Sequence, residues 1–200
     1  VTATNSGGTS TDYLNITIID ELPTSISYPV VNLNLTNNTA SPDLPMSPQI
    51  QGSGAIVSWE LSTALPSGLF FNVNTGEISG IATELWPTTQ YTVWANNSGG
   101  AVTIEFNITV VDQVPTDVTY SPSDLQLVNN TVSSDLPLLP QLNGPGEITS
   151  WEINASLPSG LNFGSNNGTI WGTPTELWPT TAYQIWANNS GGSVAGYLNI

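Results

Sequence analysis

The run Asn5-Ser6-Gly7-Gly8 returns as Asn97-Ser98-Gly99-Gly100 and again as Asn189-Ser190-Gly191-Gly192, an offset of 92 residues each time. Leu65-Pro66-Ser67-Gly68-Leu69 returns as Leu157-Pro158-Ser159-Gly160-Leu161 in the same register. So does Glu84-Leu85-Trp86-Pro87-Thr88-Thr89, as Glu176-Leu177-Trp178-Pro179-Thr180-Thr181. Trp59 maps onto Trp151, and Asn15 onto Asn107 and then Asn199; about half of the first 92 residues are identical one period later. A period this long is a small domain per copy rather than a solenoid unit. That length just suffices for an autonomous core.

Each copy reads as β. Tyr91, Val93 and Ala95 alternate with Thr92, Trp94 and Asn96; Phe106, Ile108 and Val110 alternate with Glu105, Asn107 and Thr109. Leu14, Ile16 and Ile18 give the same pattern one period earlier, and Val57, Trp59 and Leu61 alternate with Ser58 and Glu60. Period-two patterning marks strands with one buried face. Between them lie Gly-, Asn- and Pro-rich turns of the kind that tolerate positive φ. No convincing helix is present. The spacing predicts tandem immunoglobulin-like antiparallel β-sandwiches. Asp20-Glu21-Leu22-Pro23 and Asp112-Gln113-Val114-Pro115 share one phase, each just after a strand, where a proline ends ladder pairing. We therefore expect a terminal hairpin of a preceding domain over 1–20, one domain over 21–112, and another over 113–200 cut short at its last strand. Val1 opens the sequence without methionine, which suggests a segment of a longer polypeptide. Links this short favour a stiff end-to-end array, with very roughly 40 Å per domain from strand length.

Leu65-Pro66-Ser67-Gly68-Leu69, Asn74-Thr75-Gly76-Glu77-Ile78-Ser79-Gly80 and Asn97-Ser98-Gly99-Gly100 together resemble the He_PIG-type immunoglobulin-like repeats of prokaryotic surface proteins, relatives of dystroglycan-type cadherin-like domains. Gly168-Thr169-Ile170-Trp171-Gly172-Thr173-Pro174-Thr175 in the second copy is closer to the family signature; the first copy departs from it at Ile81-Ala82. The resemblance spans nearly the whole chain. It implies modules that act as stalks, spacers and adhesive units outside the cell, and no activity beyond that.

The side-chain inventory narrows the chemistry. There are 15 Asp and Glu and no Lys, Arg, His or Cys, a formal −15. Without a basic side chain the chain cannot neutralise nucleic-acid phosphates. Imidazole and thiolate chemistry, the usual zinc sites and lysine isopeptide crosslinks are excluded with it. Paired carboxylates could cleave glycosidic bonds, but a repeated small sandwich offers no deep cleft, so no enzyme is expected. No apolar run approaches a membrane span.

Hard cations need only oxygen ligands. Asp20 and Asp112 fall at the expected domain junctions with Glu21 beside the first, where cadherin-like arrays hold cations, so junction calcium is an expectation; solvated or turn-capping carboxylates are the alternative. Nine Asn-X-Ser/Thr sequons, at Asn15, Asn34, Asn37, Asn96, Asn107, Asn129, Asn154, Asn167 and Asn188, give candidate sites for N-linked glycans. Trp59 and Trp151 read as core tryptophans, and Trp86 and Trp178 as plugs at the sandwich end. Trp94 and Trp186 take the outward phase and are candidate interface residues, against partial burial under a loop. The reading these features support is the repeat unit of an extracellular, cell-surface filament, stalk or giant surface protein: a rigid, glycosylated shaft. Its partners would be neighbouring repeats or identical subunits. The alternative is an adhesive module binding carbohydrate or a partner surface protein.

Overall fold

The computed structural model describes residues 1–200, and the chain contains strands, turns and irregular segments but no helix. A hairpin opens it. β1 (Thr2–Asn5) and β2 (Gly8–Thr11) pair antiparallel from Thr2↔Thr11 to Asn5↔Gly8, with every side chain exposed.

The first copy then builds β3 (Ser25–Ser27), β4 (Asn32–Thr36), β5 (Gln49–Gln51), β6 (Ser58–Leu61), β7 (Leu69–Phe71), β8 (Ile78–Gly80), β9 (Trp86–Asn97) and β10 (Gly100–Val111). One layer is the four-stranded sheet β4-β10-β9-β6. The other consists of the pairs β3-β5 and β7-β8, with Met46 bridged to Ile78. The alternation read from β9 is the burial pattern found: Tyr91, Val93 and Ala95 are fully buried, while Thr92, Trp94 and Asn96 are half-buried. Tyr91 stacks on Phe106 with ring centroids 5.7 Å apart, and Tyr28 tilts onto the same ring at 5.5 Å. These rings fill the space between the layers, which is where most of the fold's apolar burial lies. One pairing is not antiparallel. β10 runs parallel to β4 over five residues, Asn107↔Asn32 to Val111↔Thr36, because the chain crosses the whole domain between them.

The second copy repeats the plan with β11 (Asp117–Tyr120), β12 (Pro140–Asn143), β13 (Ser150–Ile153), β14 (Leu161–Phe163), β15 (Ile170–Gly172), β16 (Ala182–Asn189) and β17 (Gly192–Asn199). Asn199 repeats the first parallel pairing, bridging to Asp124. Its amide donates to Asp124 Oδ1 at 2.6 Å, as that of Asn107 does to Asn32 Oδ1 at 2.9 Å. Each copy has its own buried core, the first around Tyr91 and Phe106, the second around Trp151 and Ile185.

Trp59 and Trp151 are core residues, each 4% exposed. The Thr-Gly and Asn-Gly turns explain why. At Gly168 (φ 66°) an added Cβ would lie 2.6 Å from the Trp151 ring, so the turn presses backbone directly on the indole. Tyr120 then donates its hydroxyl to the Gly168 carbonyl at 2.6 Å, locking turn, ring and strand together.

Two strand readings are corrected. Residues 12–23 form no strand, and Tyr13, Leu14, Ile16 and Ile18 are at least 70% exposed. Alternation supplies one apolar face but not a neighbour to pair with. Val57 also stands outside its strand, which starts at Ser58, and is 70% exposed. Its backbone N–H still donates to Asn96 O at 2.8 Å.

Candidate functional site

The recurring Asn-Ser-Gly-Gly turn does more than reverse the chain. Joining β16 to β17, it receives the connection that enters the second copy. Asn189 donates its amide N–H to Gln113 O at 2.7 Å, and Asp112 N–H donates to Ser190 Oγ at 2.8 Å. The connection lies so close to the turn that a Cβ on Gly191 would sit 2.0 Å from Asp112 O. The turn between β9 and β10 holds the preceding connection in the same way. Asn97 donates to Glu21 O at 2.8 Å, and Asp20 N–H to Ser98 Oγ at 2.8 Å. Gln113 is gripped from the other side as well, since its side-chain N–H donates to Asn37 O of the first copy at 2.8 Å.

This arrangement accounts for the junction carboxylates. Asp112 Oδ1 accepts Gln113 N–H at 2.8 Å, and its Oδ2 accepts Glu147 N–H at 3.0 Å. Asp20 Oδ2 accepts the Ser98 hydroxyl at 2.7 Å, and Glu21 accepts the Ser53 hydroxyl. Asp20 and Glu21 stand at one junction and Asp112 at the next, and no three acidic side chains converge. These oxygens serve as acceptors in a hydrogen-bonded clasp, each facing an N–H or O–H donor.

The sequons divide by access. Asn15, Asn34, Asn154 and Asn167 are exposed; the other five are half-buried. Asn96 and Asn188 donate to Glu60 and Glu152 at 3.2 and 3.3 Å, and Asn37 and Asn129 bury their Oδ1 atoms. Trp94 and Trp186 are half-buried, opposite Glu60 and Glu152 across the strand pair. The end-plug tryptophans differ between copies. Trp86 packs against the first core, whereas Trp178 is 46% exposed and donates to Thr181 Oγ1 at 3.1 Å.

A second carboxylate pair fastens the Leu-Pro-Ser-Gly loops. Ser67 N–H donates to Glu84 Oε1 and Ser159 N–H to Glu176 Oε1, both at 2.6 Å. The Ser159 bonds hold the exposed Glu176 carboxyl below its ordinary value of 4.5. The folded chain thus favours the charged form, so this contact contributes fully above pH 4.5 and is lost as pH falls through the lowered folded value. In a carboxyl-detected NMR titration the Glu176 midpoint is expected below 4.5, with the Ser159 amide shift following it. A midpoint at or above the ordinary value removes the bond.

The clasp residues Asn97, Ser98, Asn189 and Ser190 were not identified as functional from the sequence, although the threefold recurrence of their motif was the available signal. A hairpin turn explains two glycines; only the folded chain shows the connection lying across them.

The family model described as "Putative Ig domain" matches residues 23–111 and 113–199. The Serine-rich adhesin for platelets of Staphylococcus aureus is 29% identical over 196 residues, covering 96% of this chain and 8% of the adhesin; its counterpart in strain MRSA252 is 29% identical, with 13% covered. The chain therefore spans about a tenth of the length of these relatives. Among solved structures, human Protocadherin-24 EC1-2 aligns with a TM-score of 0.38 and 13% identity over 90% of this chain and 97% of that one.

Proposed function

Because the chain belongs to the Putative Ig domain family, in two tandem copies, we propose that it is a shaft segment of a cell-surface adhesin-type protein, holding neighbouring modules apart outside the cell. The observation that carries this reading is Gln113, whose backbone carbonyl is held by Asn189 of the second copy while its side chain is held by Asn37 of the first. A link gripped from both sides has little freedom to hinge, which is what a spacer needs and a flexible tether lacks. The charge acts in the same direction. Fifteen acidic groups without a cation repel one another and favour extension. Glycans at the exposed Asn15, Asn34, Asn154 and Asn167 would add a hydrated coat. The likeness to a staphylococcal adhesin supports a surface location and an adhesin-repeat role; no catalytic role is proposed.

Small-angle scattering of the two-copy chain is expected to give an elongated particle with a single dominant interdomain geometry. Gln113→Ala should broaden that geometry while lowering the stability of either copy by no more than about 1 kcal/mol, the usual net worth of one hydrogen bond. A compact particle, or one already broad before the substitution, would remove the shaft reading.

A further inference from the structure

The two copies are built alike, so a surface where they diverge in concert points to something only one of them does. β14 and β15 pair Asn162 opposite Trp171, whereas β7 and β8 pair Phe70 opposite Ser79. Trp171 is 42% exposed on the outer face of its strand, while its neighbour Ile170 is fully buried. The indole is one wall of a concavity of about 540 Å³, with Leu136, Asn167, Thr169 and Ser133 among the others.

Several differences between the copies coincide there. Position 164 is Gly where the first copy has Asn72, and a Cβ at Gly164 would lie 3.3 Å from Trp171 Cζ3 and 2.2 Å from Asn167 Oδ1. The missing side chain is what lets the ring and the amide stand side by side. Thr169 replaces Glu77, so a carboxylate of the first copy becomes a hydroxyl. In a chain whose every ionisable side chain apart from tyrosine is acidic, no charged residue lines this hollow.

We infer that this concavity is a binding site for a neutral pyranose ring. An exposed indole offers a flat, electron-rich face to the polarised C–H groups of one side of a sugar. Asn167 spends its Oδ1 on Thr169 N–H at 3.1 Å, which leaves its amide N–H groups to donate to ring hydroxyls. The hydroxyls of Thr169 and Ser133 border the same space. An aromatic platform with a few polar groups able to both donate and accept is how an uncharged polyol is held. Anionic sugars are disfavoured, since the formal −15 repels them. The sugar is one carried by another molecule, since a glycan attached at Asn167 would replace one of the amide hydrogens the site uses.

The test uses the full chain made without N-glycans, titrated with glucose, galactose and mannose methyl glycosides and their disaccharides, and read by the indole N–H resonances. At least one neutral sugar is expected to shift the Trp171 signal saturably while the Trp94 and Trp186 signals stay fixed. Trp171→Ser should weaken that binding by about tenfold or more, the worth of one aromatic stacking contact. The fold tolerates serine here, since Ser79 occupies the same place in the first copy. Overturning results are a Trp171 signal that none of these sugars moves, or binding that Trp171→Ser leaves intact. Neither bears on the shaft reading, which rests on scattering.

Discussion

Trp151→Ala is expected to lower the melting midpoint of the second copy by about 15–30 °C, taking about 3–5 kcal/mol for a buried Trp→Ala change and several degrees per kcal/mol for a domain of this size. The first copy's transition should stay where it is. The size of the effect follows from the fit: Trp151 is 4% exposed and lies directly under the Gly168 backbone, so nothing can collapse into the space the indole leaves. Its selectivity follows from the two cores, which share no residue. Differential scanning calorimetry would resolve the outcome as one displaced and one stationary transition. If both transitions moved down together, the copies would be melting as a single unit, and their description as separate domains would fail.

Gly191→Ala is the second large effect, and it acts at the junction rather than in a core. The new Cβ would lie 2.0 Å from the Asp112 carbonyl oxygen, well inside van der Waals contact, and the obstacle is backbone that cannot swing aside. The connection must lift off the turn, releasing the bonds from Asn189 to Gln113 and from Asp112 to Ser190. We expect a loss of about 2–3 kcal/mol from the second copy, as for other overpacked sites, together with a broader distribution of interdomain angles in scattering. Unchanged stability together with an unchanged spread of interdomain angles would show that the connection does not rest on the turn.

The fold was largely legible because two copies of one sequence expose each other's pattern. Tyr91, Val93 and Ala95 go inward as their spacing predicts, and Trp59 and Trp151 lie in cores. What escaped was everything that depends on a distant partner. Leu14, Ile16 and Ile18 carry a strand's alternation, but a strand is stable only where a neighbour accepts its hydrogen bonds. The parallel register of β10 on β4 was equally hidden, since nothing local distinguishes it from an antiparallel one. At the junction, Asp20 and Asp112 drew notice as charges, whereas in the folded chain they act as acceptors for backbone and serine donors. Trp171 is illegible for a different reason: it stands where the two copies differ, opposite the repeat's shared pattern, and its meaning lies in its contrast with Ser79.

The parallel alignment of β4 and β10 has a consequence for a chain under tension. β4 lies near the start of the first copy and β10 at its end, so a pull on the two termini of that domain drags these strands past each other along their length. The rungs between Asn107↔Asn32 and Val111↔Thr36 are then loaded in shear and must give way together, instead of unzipping singly from one end. Rungs that must break together oppose a pull more strongly than rungs that can open one at a time.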